Sequence, residues 1–195
     1  MVTEARHQRL RRVVEQRQAG LTVLLEDMHD PHNAAAILRT ADALGVQRVH
    51  CVFAREAPFN PRQVGKASSS SANRWLDFSI HRSIDAGINT LRSDGYQTIA
   101  LALAAEAKDL YELDLTGPRL AFLVGNEKAG LSTRALEVAD AVAMIPMRGL
   151  VQSLNVSVTA ALALAEATRQ RLAAGTLQPL STAEQVRLLD DFLQR

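Results

Sequence analysis

The sequence predicts an α/β domain built on a mainly parallel sheet with helices on both faces. Three observations carry this. Short apolar runs alternate along the chain with segments of helical period. The helical segments stop at Gly45, Gly95 and Gly175, the residue type that takes a left-handed helix end without a Cβ penalty. No internal repeat divides the 195 residues, and "ASSSSAN" (67–73) is too short to link two domains. Strands that alternate with helices lie parallel and are covered on both faces.

Residues 1–20 read as a basic N-terminal helix, with Leu10, Val13 and Val14 at helical spacing and Arg6, Arg9, Arg11, Arg12 and Arg17 around them. "LTVLLE" (21–26) is the first strand, and "NAAAILRTADAL" (33–44) the first core helix. "RVHCVF" (48–53) and "LDFSI" (76–80) are strands, followed by the helix "SIDAGINTLRSD" (83–94). "QTIALAL" (97–103) and "RLAFLVG" (119–125) are apolar strands. A short helix over 132–139 leads to the strand "AVAMIP" (141–146), and an Ala/Leu-rich helix fills 155–173. The main domain thus spans 21–175. Residues 176–195 form a C-terminal helix that opens on the capping box Ser181-x-x-Glu184.

Composition narrows the class. The chain is 47% hydrophobic with a formal net charge of +1, which excludes disordered and collagen-like types. Its single cysteine, Cys51, lies in an apolar run, so neither an intramolecular disulfide nor a cysteine-based zinc signature is available. The basic N-terminus has no apolar stretch of secretory type, and no apolar run has membrane-spanning length. The expectation is a soluble cytoplasmic protein. The arginines of the first helix read either as a solvated surface or as an arm for nucleic-acid phosphates.

Ligands of parallel sheets bind beyond the C-terminal ends of the strands, and three loops there are unusual. "EDMHDPHN" (26–33) puts Asn33 where a helix cap belongs, and Ile37, Ala41 and Leu44 define the buried face with Ala34. Arg39 then points away from the core, where the simplest partner is Asp42 at i+3. His29 and His32 lack further ligands for a metal site and instead line the loop. "GNEKAGLS" (125–132) is glycine-rich but matches neither the dinucleotide fingerprint nor the P-loop. Gly125 and Gly130 allow close backbone approach to a flat ligand, and Glu127 and Lys128 between them read otherwise as a solvated pair. "IPMRGLVQSLN" (145–155) offers Ser153, Asn155 and Ser157 at one helix start, more capping polarity than a helix needs, with Gly149 read as a tight bend.

Asn33 with Arg39, then Gly125-x-Glu127-x-x-Gly130-Leu131, then Ile145-Pro146-Met147-x-Gly149 through Ser153-Leu154-Asn155-Val156-Ser157-Val158, occur in that order. This resembles the SPOUT superfamily of RNA methyltransferases, and within it the TrmH family of tRNA guanosine 2′-O-methyltransferases. The resemblance covers nearly the whole chain, including the Trp75 segment. It implies an S-adenosyl-L-methionine-dependent enzyme with a C-terminal trefoil knot, working as a homodimer whose interface builds the active site. The cofactor wall it implies comprises Leu101, Gly125, Ile145, Met147, Ser153 and Leu154, with no metal. Arg39 matches the family's catalytic arginine. Asn33, Glu127, Ser153 and Asn155 complete the implied catalytic set. The terminal helices would grip tRNA through Arg9, Arg11 and Arg12, with His32 and Arg39 also meeting substrate, and guanosine 18 of the D-loop is the favoured target. Two departures stand out. Ser71-Ala72 replace a glycine and small residue common in relatives, and Asp30 replaces a common lysine. A ribosomal RNA nucleotide as target, and a non-catalytic RNA-binding module, are the alternatives.

Overall fold

The computed structural model describes residues 3–64 and 72–195. Most of the Ser-rich patch, including Ser71, lies outside the described residues. Each expected strand is present: β1 Leu21–Glu26, β2 Arg48–Val52, β3 Asp77–His81, β4 Gln97–Leu101, β6 Leu120–Val124 and β7 Ala141–Met144. The sequence reading missed β5, Lys108–Asp109, because two polar residues carry no strand pattern. The helices are α1 Glu4–Glu15, α2 Pro31–Ala43, α3 Ile84–Ser93, α4 Thr133–Val138, α5 Val156–Ala174 and α6 Thr182–Gln194.

All strand pairs are parallel, in the order β3-β2-β1-β6-β4-β7-β5. Strand β1 lies inside the sheet between β2 and β6 and is buried on both faces, as its uninterrupted apolar run requires. Side chains alternate between faces. Val23 and Leu25 join Val49, Cys51, Phe122 and Val124 under α2 and α5. Leu24, Val52 and Leu123 turn the other way, under α3 and α4. Both faces are therefore covered. Burial pushes the Cys51 thiol up to about 12, so it remains an inert core group.

The helix stops fall where glycine permits them: Gly95 and Gly175 have φ of 77° and 68°. At the other end of the last helix, the Ser181 hydroxyl accepts from the Glu184 N–H while the Glu184 carboxylate takes the Ser181 N–H, closing the capping box. The terminal helices α1 and α6 pack on each other through Leu10, Val14, Leu188 and Phe192, and Trp75 meets the Phe192 ring edge-on at 5.1 Å. Val13, expected on the apolar stripe, is at 36% exposure and lies at its edge.

Arg17 departs from the surface reading of its neighbours. It is 1% exposed and donates to Asp42 at 2.6 Å and to the Val46 carbonyl at 3.0 Å. A buried guanidinium persists only when paired and hydrogen-bonded. Arg17 therefore fastens the segment after α1 to the end of α2, and is not part of a phosphate-binding arm. Arg171 does the same from α5, with bonds to the carbonyls of Ala19, Gly20, Gly117 and Pro118.

His50 is the buried polar group with a measurable consequence. It is 1% exposed, and its Nδ1 lies 3.1 Å from His81 Nε2. Burial, then the neighbouring His81 and Arg48 charges, lower its pKa from 6.5 to about 4. The unfolded chain therefore binds a proton in that interval that the folded chain refuses. Stability is full above pH 6.5 and falls as the pH drops towards 4, by on the order of 3 kcal/mol for this group. Denaturant unfolding across that range should give a steeper loss for the native chain than for His50→Gln.

Candidate active site

The three loops after β1, β6 and β7 meet at the C-terminal edge of the sheet, and a chain of side-chain hydrogen bonds joins them. Glu127 accepts from the backbone N–H groups of His29 at 3.0 Å and Asp30 at 3.1 Å, and from Asn33 Nδ2 at 3.0 Å. Asn33 Oδ1 in turn accepts from Asn155 Nδ2 at 3.0 Å. Asn155 Oδ1 caps α5 through the Ser157 N–H at 2.8 Å and also takes the Ser157 hydroxyl at 2.6 Å. A carboxylate only accepts, so the Asn33 amide nitrogen must face Glu127. That orientation fixes Asn155 as well. The chain therefore has one sense, running from the α5 cap to the Glu127 carboxylate.

This corrects three expectations. Asp30, not Asn33, caps α2: its side chain accepts from the His32 N–H and Pro31 occupies the first turn. Asn33 is the third residue of α2, still in its first turn, and its side chain is free to join Glu127 and Asn155. Glu127 is accordingly no solvated partner of Lys128. Gly149 has neither a left-handed φ nor a close neighbour, so nothing in its surroundings demands glycine.

Arg39 faces outward from α2, as its position relative to Ile37 requires. Its expected partner Asp42 is taken by Arg17. Among the described residues Arg39 forms no hydrogen bond or ion pair. His32, seven residues before it and so on nearly the same helix face, is also exposed, and its ring has no partner there. Arg9, Arg11 and Arg12 are exposed on α1.

A cavity of about 440 Å³ opens beside the chain of bonds. Leu101, Gly125, Ile145, Met147, Ser153 and Leu154 all line it, together with Glu127 and Asn126. Gly125 has no room for a side chain: an added Cβ would sit 2.2 Å from the Gly130 carbonyl carbon and the Leu131 nitrogen. The loop returns on itself there through paired backbone bonds between Asn126 and Gly130, and Gly130 adopts φ 69°. Ser153 is exposed and forms no hydrogen bond among the described residues.

Sequence reasoning missed the residues that hold these loops. Glu26, 2% exposed, accepts from the Ser132 hydroxyl at 2.6 Å and its N–H at 2.8 Å, tying β1 to the start of α4. Asp27, at φ 50°, gathers the N–H groups of Ala54, Arg55 and Glu56 on one carboxylate oxygen. Burial opposes the charged form of Asp27, but those bonds and the Arg55 guanidinium prevail, and its pKa lies below the usual value. The Asp27 carbonyl accepts from Asn126 Nδ2 at 2.8 Å. The only signal available was a pair of carboxylates directly after an apolar strand.

Fold and site together define a parallel α/β protein with a cavity in a glycine-bent loop cluster beyond the strand ends, where sheets of this kind bind ligands. Comparison with known proteins gives the family. The SpoU rRNA Methylase family matches residues 20–165, and the chain belongs to it. The tRNA (guanosine(18)-2′-O)-methyltransferase of Thermus thermophilus is 45% identical over 173 residues, covering 89% of this chain and 87% of that protein. The TrmH/SpoU tRNA modifying enzyme of A. aeolicus superposes with a TM-score of 0.85 at 33% identity, over 96% of this chain and 94% of that one. An AdoMet-bound rRNA methyltransferase from Sinorhizobium meliloti superposes with a TM-score of 0.70 at 28% identity, over 82% and 59%. Among the described residues no helix is long and apolar enough to cross a membrane.

Proposed function

We propose that the protein transfers a methyl group from S-adenosyl-L-methionine to a ribose 2′-hydroxyl of RNA, at guanosine 18 of tRNA. The observation that carries this reading is the one-way chain from Asn155 through Asn33 to Glu127, set beside a glycine-bent cavity and an unpaired Arg39. The tRNA target rests on the identity to guanosine(18) 2′-O-methyltransferases over most of both chains. Such an enzyme acts where tRNA is matured, which favours the cytoplasm.

Methyl transfer is an in-line displacement, and the cofactor supplies a methyl group on a positively charged sulfur. The cavity suits that group. Its volume falls within the range of cofactor pockets, its floor is apolar at Leu101, Ile145, Met147 and Leu154, and backbone lies close at Gly125. The substrate must be aligned, and its oxygen stabilised as negative charge develops. The inventory of free groups matches this task. Asn33 and Asn155 each donate one amide N–H within the chain of bonds, so each can offer one remaining N–H. Arg39 offers a whole guanidinium fork, which fits phosphate oxygens. A guanidinium keeps its proton in proteins, so Arg39 works by gripping a substrate phosphate and stabilising alkoxide character. Ser153 adds a hydroxyl at the mouth of the cavity.

The same reading places Arg9, Arg11 and Arg12 on the tRNA backbone, with the α1–α6 pair as a terminal grip around the domain of 21–175. It carries the trefoil knot of the family as well, supported by the gathering of the loops after β4, β6 and β7 round one cavity. It also implies a homodimer. Leu150 is fully exposed, and Val151, Val158 and Leu103 are large apolar groups left exposed on or near the same loops. A second copy covering them would stand next to the substrate site. Sedimentation should show a dimer that Leu150→Asp combined with Val151→Asp converts to monomer, with methyl transfer lost in parallel.

Isotopically labelled cofactor tests the assignment directly. Label should enter unmodified tRNA and should fail to enter a transcript whose guanosine 18 is replaced. Label entering rRNA fragments in preference to tRNA would instead favour the ribosomal target.

A further inference from the structure

A second cavity, of about 590 Å³, lies at the opposite pole, under the N-terminal ends of β1, β2, β4 and β6 and against α6. Three arginines from separate elements line it: Arg48 opens β2, Arg119 precedes β6, and Arg187 lies on α6. The Arg48 and Arg187 side chains are exposed, and their guanidinium groups form no hydrogen bond or close ion pair among the described residues. Arg119 spends one N–H on the Asp94 carbonyl at 2.6 Å and stacks over Tyr96, 5.7 Å from the ring centre. The stack holds its guanidinium plane while leaving further donors free.

Four carboxylates share the cavity wall, and two of them are paired with arginines that do not line it. Asp77 takes Arg195 at 2.7 Å and Gln47 at 3.0 Å. Asp191 is paired with the same Arg195 guanidinium. Glu184 closes the capping box on Ser181, a neutral partner, and keeps its charge beside Arg187 and Arg119. The Asp94 carboxylate forms no hydrogen bond or ion pair among the described residues. Arg62 and Arg195 answer Asp77 and Asp191, which leaves the three cavity arginines against two carboxylates, Glu184 and Asp94. The cavity is also large for a bare small ion and has the dimensions of a site for a small organic ligand.

We infer that this cavity is a binding site for a phosphate group carried on a nucleotide, held by Arg48, Arg119 and Arg187. Planar guanidinium forks on three elements that line one cavity match the several oxygens of a phosphate. The phosphate can belong to an RNA backbone or to a free nucleotide, and the chemistry of recognition is shared. The site lies across the sheet from the methyl-transfer site and does not rest on that assignment.

The test is equilibrium binding by the full chain, read by calorimetry, with guanosine 5′-monophosphate and with an unmodified tRNA transcript as probes. The comparison is between the native protein and Arg48→Gln/Arg187→Gln, neither of which belongs to the proposed catalytic or cofactor set. The double variant should bind at least one probe about tenfold or more weakly, with unchanged melting temperature and cofactor affinity. An RNA source predicts weaker tRNA binding and a salt slope reduced by roughly 1 to 2. A free-nucleotide source predicts loss of mononucleotide binding with tRNA affinity unchanged. Arg48→Lys/Arg187→Lys should recover part of the loss, since charge is kept but the fork is not. Equal affinity of native and double-variant protein for both probes would overturn the inference.

Discussion

Arg39→Ala is expected to lower the single-turnover rate of methyl transfer about a hundred- to thousandfold, while cofactor affinity and melting temperature stay unchanged. The magnitude follows from removing one preorganised donor from a site where negative charge develops. The unchanged stability follows from the structure: Arg39 is exposed and holds nothing, because Arg17 has taken Asp42. Arg39→Lys should restore only a fraction of the rate, as an ammonium cannot reproduce the bidentate fork. A rate within tenfold of the native value in Arg39→Ala would remove Arg39 from the mechanism.

Gly125→Ala is the second large effect, and it works through packing. The new Cβ would lie 2.2 to 2.3 Å from backbone atoms of Gly130 and Leu131, none of which can rotate away as a side chain would. The loop must open. Overpacking of this kind costs typically about 1 to 3 kcal/mol. Because the same loop lines the cavity proposed for the cofactor, S-adenosyl-L-methionine binding should weaken by roughly tenfold to a hundredfold on that scale. Calorimetry separates this from Arg39→Ala, which should leave cofactor binding intact. Gly149→Ala serves as the control in a neighbouring loop: nothing lies near its Cβ position, and cofactor affinity should not change.

Local signals were legible in the sequence and distant ones were not. The strand of Leu21–Glu26, the glycine stop at Gly175 and the Ser181 capping box all depend on residues within one turn or one strand. Asn33 precedes an apolar period and so stands where a cap is expected, yet Asp30-Pro31 carries the stronger start signal three residues earlier. The consequence is functional, since an Asn33 spent on capping could not bridge Glu127 and Asn155. Arg17 and Arg12 look alike in sequence. Only the partner Asp42, 25 positions away, buries the first and leaves the second exposed. Glu26 and Asp27 were invisible for the same reason, their partners being Ser132 and the 54–56 backbone. The order of the three motifs showed which loops mattered, while the bonds that join them required the folded chain.

The central claim is that these loops form one site for ribose methylation, and mass mapping of the product tests it most directly. Unmodified tRNA incubated with the protein and S-adenosyl-L-methionine, then digested, should yield a single methyl group on the ribose of guanosine 18. The same digest from Asn33→Ala should be nearly free of it, because that change cuts the chain between Glu127 and Asn155. A methyl group on a base, or full modification by Asn33→Ala, would contradict the account.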